Sequence, residues 1–226
     1  VGAFGHGESQ MGRREDATRH YEAAERMDPR NAINVGNSAR PLVYLRRCAQ
    51  ARESIVRSLA LAPANLSRIT VKVQSYLCEG DSAGARAAIA DAVRRVGPTD
   101  TAAYFANGQE WLFDAETFAL LRRLTPASFD GNEGLWALAQ AWASWRSGDL
   151  PSAREFGAKA LSLLESQTRA APKAATPHVF LGQALVFAGR KAEGVRESLL
   201  ATELEPVERS PFSGSDWVWG LAQTYM

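Results

Sequence analysis

Residues 14–29 read REDATRHYEAAERMDP, residues 48–63 read CAQARESIVRSLALAP, and residues 82–97 read SAGARAAIADAVRRVG. The three stretches lie 34 residues apart and carry side chains of like character at like places. Ala17, Ala51 and Ala85 are in register, as are Tyr21, Ile55 and Ile89, and then Ala24, Ser58 and Ala92. Pro29 and Pro63 close the first two stretches and Gly97 the third. Within each stretch the matched positions stand at i, i+4 and i+7, which is one stripe along a helix. Small residues on that stripe let a second helix approach closely, and the bulkier Tyr21 fills the space between pairs. Proline after a helix end cannot continue the hydrogen-bond ladder. A period of this length predicts helix pairs stacked on one another, with each unit touching its neighbours.

The pattern extends in both directions, over units of about 1–31, 32–65, 66–98, 99–130, 131–173 and 174–207, with a partial unit at 213–226. Gly12, Gly80, Gly148 and Gly189 occupy the turn between the two helices of a pair. In the second unit that slot holds Arg46, and Pro41 falls inside the first helix, which is therefore expected to be kinked or to start late. Asp81 is placed to cap the helix after its turn, and Asp114 to cap a short one. The fourth unit is degenerate, with Tyr104, Trp111, Leu112, Phe118, Leu120 and Leu121 keeping helical spacing before Thr125-Pro126 and the loop at Asp130-Gly131-Asn132. In the fifth, the stop comes late, at Pro172, and the second helix should gain about two turns, or about 10 Å. At the end of the chain, Trp217, Val218, Leu221, Ala222 and Tyr225 read as a first helix with nothing to cover it. A chain that opens at Val1 inside a repeat and stops there reads as a segment of a longer protein.

With the stripes, the turn glycines and the closing prolines in phase, the chain resembles the tetratricopeptide repeat family over nearly its whole length. The resemblance implies an all-α fold: a right-handed solenoid of about thirteen helices in antiparallel pairs, whose concave face binds a protein or peptide. From Trp136 through Gly148-Asp149 to Pro172, and from Leu181-Gly182 to Pro206, the texture also resembles repeat regions attached to bacterial serine/threonine kinases, cyclases or transcription regulators. No kinase motif accompanies it: a glycine-rich phosphate loop and a His-Arg-Asp triplet are both lacking. The co-chaperone subclass grips a C-terminal carboxylate with Lys, Asn and Arg on successive first helices. Here the corresponding sites are Gly2 and His6, Asn37, and Ser67 and Val71, of which Asn37 alone matches, so carboxylate capture of that kind is not expected.

The composition points the same way. Lys and Arg number 26 against 25 Asp and Glu, spread along the chain, which gives no nucleic-acid footprint. No apolar run reaches the roughly 18 residues of a membrane span. Cys48 and Cys78 show neither metal spacing nor a disulfide framework and read as reduced thiols, which fits a cytoplasmic location, with an extracytoplasmic array of a membrane-anchored parent as the alternative. His6, His20 and His178 sit in different repeats at unrelated phases and read as surface or groove residues rather than metal ligands. Mixed charges such as Arg13-Arg14-Glu15-Asp16 read as solvated helix faces. No cofactor, metal or catalytic group is expected, and the chain reads as a non-enzyme.

The candidate partner-binding residues are Arg40, Tyr44, Gln74 and Gln183, whose phase on the first helices points them into the concave groove, together with His6. Arg offers charge-assisted bonds and Tyr offers stacking. Two other readings stand beside the protein- or peptide-binding scaffold. One is a small-molecule effector sensor, which needs a closed pocket of aromatic and polar groups under the long helix that ends at Pro172. The other is a homo-assembly module that uses the aromatic end near Trp217 and Trp219.

Overall fold

The computed structural model describes residues 2–106, 108–210 and 213–225; Val1 and Met226, the two chain ends just read, lie outside them. The described residues are helical, with no strand among them. The chain divides into two compact units, Val1–Thr101 and Ala102–Met226.

The first unit holds α1 (Gly2–Gln10), α2 (Arg14–Met27), α3 (Ala32–Gly36), α4 (Ala39–Tyr44), α5 (Cys48–Leu61), α6 (Leu66–Leu77) and α7 (Ser82–Arg95). Helices α2, α5 and α7 are 14 residues each and begin at 14, 48 and 82, so the 34-residue period read in the sequence is the period of the structure. Their stripe is core: Ala17, Ala51, Ile55, Ser58 and Ala85 are fully buried, and Tyr21, Ala24, Ile89 and Ala92 nearly so. Asp81 caps α7, accepting from the Gly84 N–H at 2.7 Å.

The second pair departs as expected. In place of one first helix there are two short ones, α3 and α4, broken at Asn37-Ser38. Pro41 has no N–H to return to the Asn37 carbonyl, and its ring crowds that carbonyl, so a continuous helix fails there. Serines on α5 brace the break: Ser54 donates to the Val35 carbonyl at 2.8 Å, and Ser58 to the Ala32 carbonyl at 2.6 Å.

The turn slot explains the glycines. Gly12, Gly80, Gly148 and Gly189 have φ between 75° and 83°, and Arg46 stands in the same place at φ 60°. Each closes its helix in the same way: the Arg46 N–H bonds the Val43 carbonyl and the Arg47 N–H the Leu42 carbonyl, as the Gly80 N–H bonds Leu77 and the Asp81 N–H bonds Tyr76. A side chain in this left-handed region costs about 1–2 kcal/mol, part of which glycine returns as unfolded-chain entropy. Arg46→Gly is therefore expected to stabilise the first unit by about 0.5–1 kcal/mol, read as a higher denaturation midpoint at unchanged slope; a lower midpoint would show that the Arg46 side chain holds the turn.

The two cysteines are bonded to each other, with Cα atoms 5.9 Å apart. This corrects the reading of reduced thiols. Cys48 opens α5 and Cys78 ends α6, so two neighbouring helices bring them to the same end of the stack. Both are buried, at 6% and 7% exposure.

α8 (Pro98–Phe105) runs across the division between the units. The second unit continues with a 3-10 turn at Glu110–Leu112, α9 (Ala115–Leu121), a second 3-10 turn at Pro126–Phe129, α10 (Glu133–Arg146), α11 (Leu150–Ala170), α12 (Ala175–Phe187), α13 (Lys191–Leu204) and α14 (Gly214–Gln223). α11 has 21 residues against 14 in α13, the two extra turns expected from the late stop at Pro172. The core lies between α10, α11 and α12, around Leu138, Trp142, Leu164 and Leu181. α12 and α13 meet backbone to backbone at Gly182 and Gly194.

The last helix is covered on one side, which the sequence reading left bare, while Val218, Trp219 and Tyr225 stay exposed at 49%, 43% and 58%. Trp217 packs against Ala175, Val179 and Ala201, and its indole N–H donates to Glu205 at 2.9 Å. Trp219 donates to the Gly108 carbonyl at 3.2 Å and its ring lies 6.1 Å from that of Trp111.

Candidate functional site

Arg40 and Tyr44 stand one turn apart on α4, and Gln74 is on α6, which packs against α4. All three are half-buried. His6 is exposed on α1. Around α4 the structure gathers residues that helical phase alone did not single out. The Arg14 guanidinium lies 4.7 Å over the Tyr44 ring. Arg68, from α6, donates to Asn37 Oδ1 at 2.9 Å and to the Ile33 carbonyl at 3.2 Å. Asn37, the single match to the co-chaperone pattern, thus spends its amide oxygen on Arg68. Burial pulls the Arg68 guanidinium below the usual arginine range, and the charge of neighbouring Arg40 pulls the same way. Burial raises the Tyr21 phenol, which the Arg68 charge opposes. The first unit therefore gathers Arg14, Arg40, Arg68, Tyr44 and Asn37 from α2, the α3–α4 break, α4 and α6, over the buried Tyr21. Arg68 was missed because its partners, the Ile33 carbonyl and Asn37, sit on α3 and at the α3–α4 break of the preceding pair, which no periodic stripe encodes; its place beside Ser67, a site already assigned to the groove, was the available signal.

Gln183 belongs to the second unit and is buried, at 4% exposure. Its amide donates to Gln223 Oε1 at 2.9 Å, and the Gln223 amide donates to Glu110 Oε1 at 3.2 Å. The other Glu110 oxygen accepts from the Gly108 N–H at 2.9 Å. Glu110 is 2% exposed. Burial pushes its carboxyl up to about 7; the Gly108 N–H bond and the Arg146 charge pull weakly the other way. His178, read as a surface residue, is also buried, with Nδ1 at 2.7 Å from Glu197 and Nε2 at 3.1 Å from the Pro172 carbonyl. The carbonyl takes only a donor, so Nε2 carries hydrogen.

Gln183 and Gln223 also line a cleft of about 200 Å³ in the second unit. Trp142, Trp145 and Phe187 form its aromatic wall, with Trp145 and Phe187 edge-to-face on Trp142 at 5.7 and 4.9 Å. Leu150, Ala153 and Arg154, from the first turns of α11, and Lys191, from α13, complete it. Trp142 is the packing residue that its stripe predicted, and Trp145 keeps 36% of its surface open.

Among the described residues, no group of three or more His, Cys, Asp or Glu could hold a metal ion, and no helix is long and apolar enough to cross a membrane. No protein-family model matches the chain, and no curated protein matches it. Among solved structures it is similar to a chain in the crystal structure of the APC/C hetero-tetramer Cut9–Hcn1, with 12% sequence identity and a TM-score of 0.46. The match covers 97% of this chain and 47% of that one, so this chain spans about half its length. A likeness of that size assigns neither a partner nor an activity.

Proposed function

We propose that the chain is a non-catalytic scaffold that binds a protein or peptide, and that it is the interaction or regulatory region of a larger bacterial signalling protein. The observation that carries this reading is the cluster around α4, where Arg14, Arg40, Arg68 and Tyr44 come together from α2, α4 and α6 of the first unit. Such a surface suits an extended segment of mixed polar and apolar character with an acidic preference, since arginine and tyrosine are favoured interface anchors. Gln74 lies on α6, which packs against α4, and His6 is exposed on α1. The Cys48–Cys78 bond supports an oxidising compartment, which favours the extracytoplasmic alternative over the cytoplasm.

The test compares proteins recovered from a bacterial extract by the wild-type chain and by an Arg40→Ala/Tyr44→Ala variant of verified helicity. Loss of the two side chains should weaken a genuine partner by about 1–3 kcal/mol each, so that partner disappears from the variant's recovered set. Equal recovery by both chains would remove the α4 surface from consideration.

The effector-sensing reading has an observation of its own, the aromatic cleft beside α11 in the second unit.

A further inference from the structure

The geometry points to the cleft of the second unit as a binding site for a small carboxylate with an apolar, ring-sized body. Size sets the first limit. An apolar cavity of about 150 Å³ accommodates benzene, so about 200 Å³ leaves room for a ring and one short polar group. The walls set the second. Trp142, Trp145 and Phe187 already stand edge-to-face, an arrangement that leaves ring faces for an apolar or aromatic guest.

Charge decides the polar end. Among the described residues no acidic side chain lines the cleft, whereas Arg154 and Lys191 are both exposed and both line it. Among the described residues Arg154 has no hydrogen-bonding or ionic partner. Most arginines on this chain are tied: Arg52 to Glu79, Arg57 to Glu25, Arg95 to Asp91 and Arg190 to Glu193. Lys191 donates to the Tyr225 carbonyl at 2.9 Å, which holds its ammonium in place without neutralising it. Two cations in an aromatic cleft repel a quaternary ammonium, the other guest such walls favour, and attract an anion. Gln183 and Gln223, buried and bonded to each other, supply polar groups on the inner side. Arg154 and Lys191 belong to α11 and α13, so one carboxylate would link two helices that the cleft separates.

The same chemistry has two sources, a free organic acid or the last residue of a peptide that ends in a large apolar side chain. Phenylacetate is the probe for the first, and a tetrapeptide ending in Phe with a free carboxylate is the probe for the second; phenylacetamide and the C-terminal amide of the peptide are the uncharged controls. Tryptophan emission reports directly, because Trp142 and Trp145 form the wall. Saturable quenching by at least one acid is expected, with its amide at least tenfold weaker. Arg154→Gln, an exposed position whose change should not disturb folding, is expected to weaken the acid about tenfold and leave the amide unchanged. Response to phenylacetate but not to the peptide identifies a free acid, and the reverse identifies a chain end. Failure of both acids to give saturable binding, or equal binding of acid and amide, overturns the proposal. The Arg40→Ala/Tyr44→Ala variant should bind these probes like the wild type, so this site and the α4 surface stand or fall separately.

Discussion

Gly182→Ala is expected to lower the stability of the second unit by about 3 kcal/mol, whereas Gly7→Ala should leave the first unit unchanged or slightly more stable. The same methyl group is added to a helix in both cases. At Gly7 it meets open space within 4 Å, and alanine is the better helix former by about 1 kcal/mol. At Gly182 it would overlap the Ser198 hydroxyl and stand 2.7 Å from the Gly194 carbonyl oxygen, which is backbone and cannot turn away. Gly194 meets the same limit from the other side, with its would-be Cβ 2.5 Å from the Gly182 carbonyl. α12 and α13 must therefore move apart, and Ser198, already buried without a hydrogen-bond partner, would lose its packing as well. Thermal unfolding should show a loss on the order of 10 °C for a unit of this size. If both alanine variants melt alike, α12 and α13 do not touch at Gly182.

The second large effect is a dependence on pH. Glu110 is protonated more readily in the folded chain, where its carboxyl is pushed up to about 7, than at its ordinary value of 4.5. Below the ordinary value both states hold the proton and the burial costs nothing extra. As pH rises from there through the folded value, the unfolded chain releases its proton first, so stability falls. Above that window the penalty is constant, at about 3 kcal/mol. Glu110→Gln keeps the shape and removes the titration. Its amide can keep an oxygen on the Gly108 N–H, provided that the amides of Gln223 and Gln183 reverse in turn. The variant should match the wild type near pH 4 and exceed it by up to about 3 kcal/mol near pH 8. Denaturant titrations at the two pH values measure this directly. A constant difference between the chains at both would mean that the Glu110 carboxyl is not held in a low-dielectric site.

How far the sequence could be read follows from how far its signals reach. α2, α5 and α7 were legible because a periodic stripe states both the helix and its buried face, and the turn glycines because one backbone angle demands them. Arg46 was legible as an exception for the same reason. The break at Asn37-Ser38 followed from a single proline. What failed involved contacts that no local pattern encodes. Helical phase put Gln183 on an inner face, but it could not say that α14 would lie over that face and bury it. His178 was lost in the same way beneath α13. The disulfide was within reach: Cys48 lies two residues after one turn slot and Cys78 two residues before the next, so the repeat itself sets them side by side. Helical phase singled out Arg40 and Tyr44 as groove candidates but gave no sign of Glu110, because a buried acid in a degenerate unit looks like any other surface glutamate.

The return of α14 to Gly108–Leu112 changes how the second unit comes apart. In a linear array each repeat is held only by its neighbours, so the last helix frays alone and melting spreads inward. Here Gln223 is bonded to a residue 113 positions earlier, and Trp219 to one 111 positions earlier. Releasing the end would strand Glu110 and uncover Trp111, so the terminal helix shares the fate of the unit's first turn. The second unit should consequently melt cooperatively rather than by peeling. Its folding should be slower than its helical content suggests, because that clasp forms only after a loop of more than a hundred residues has closed.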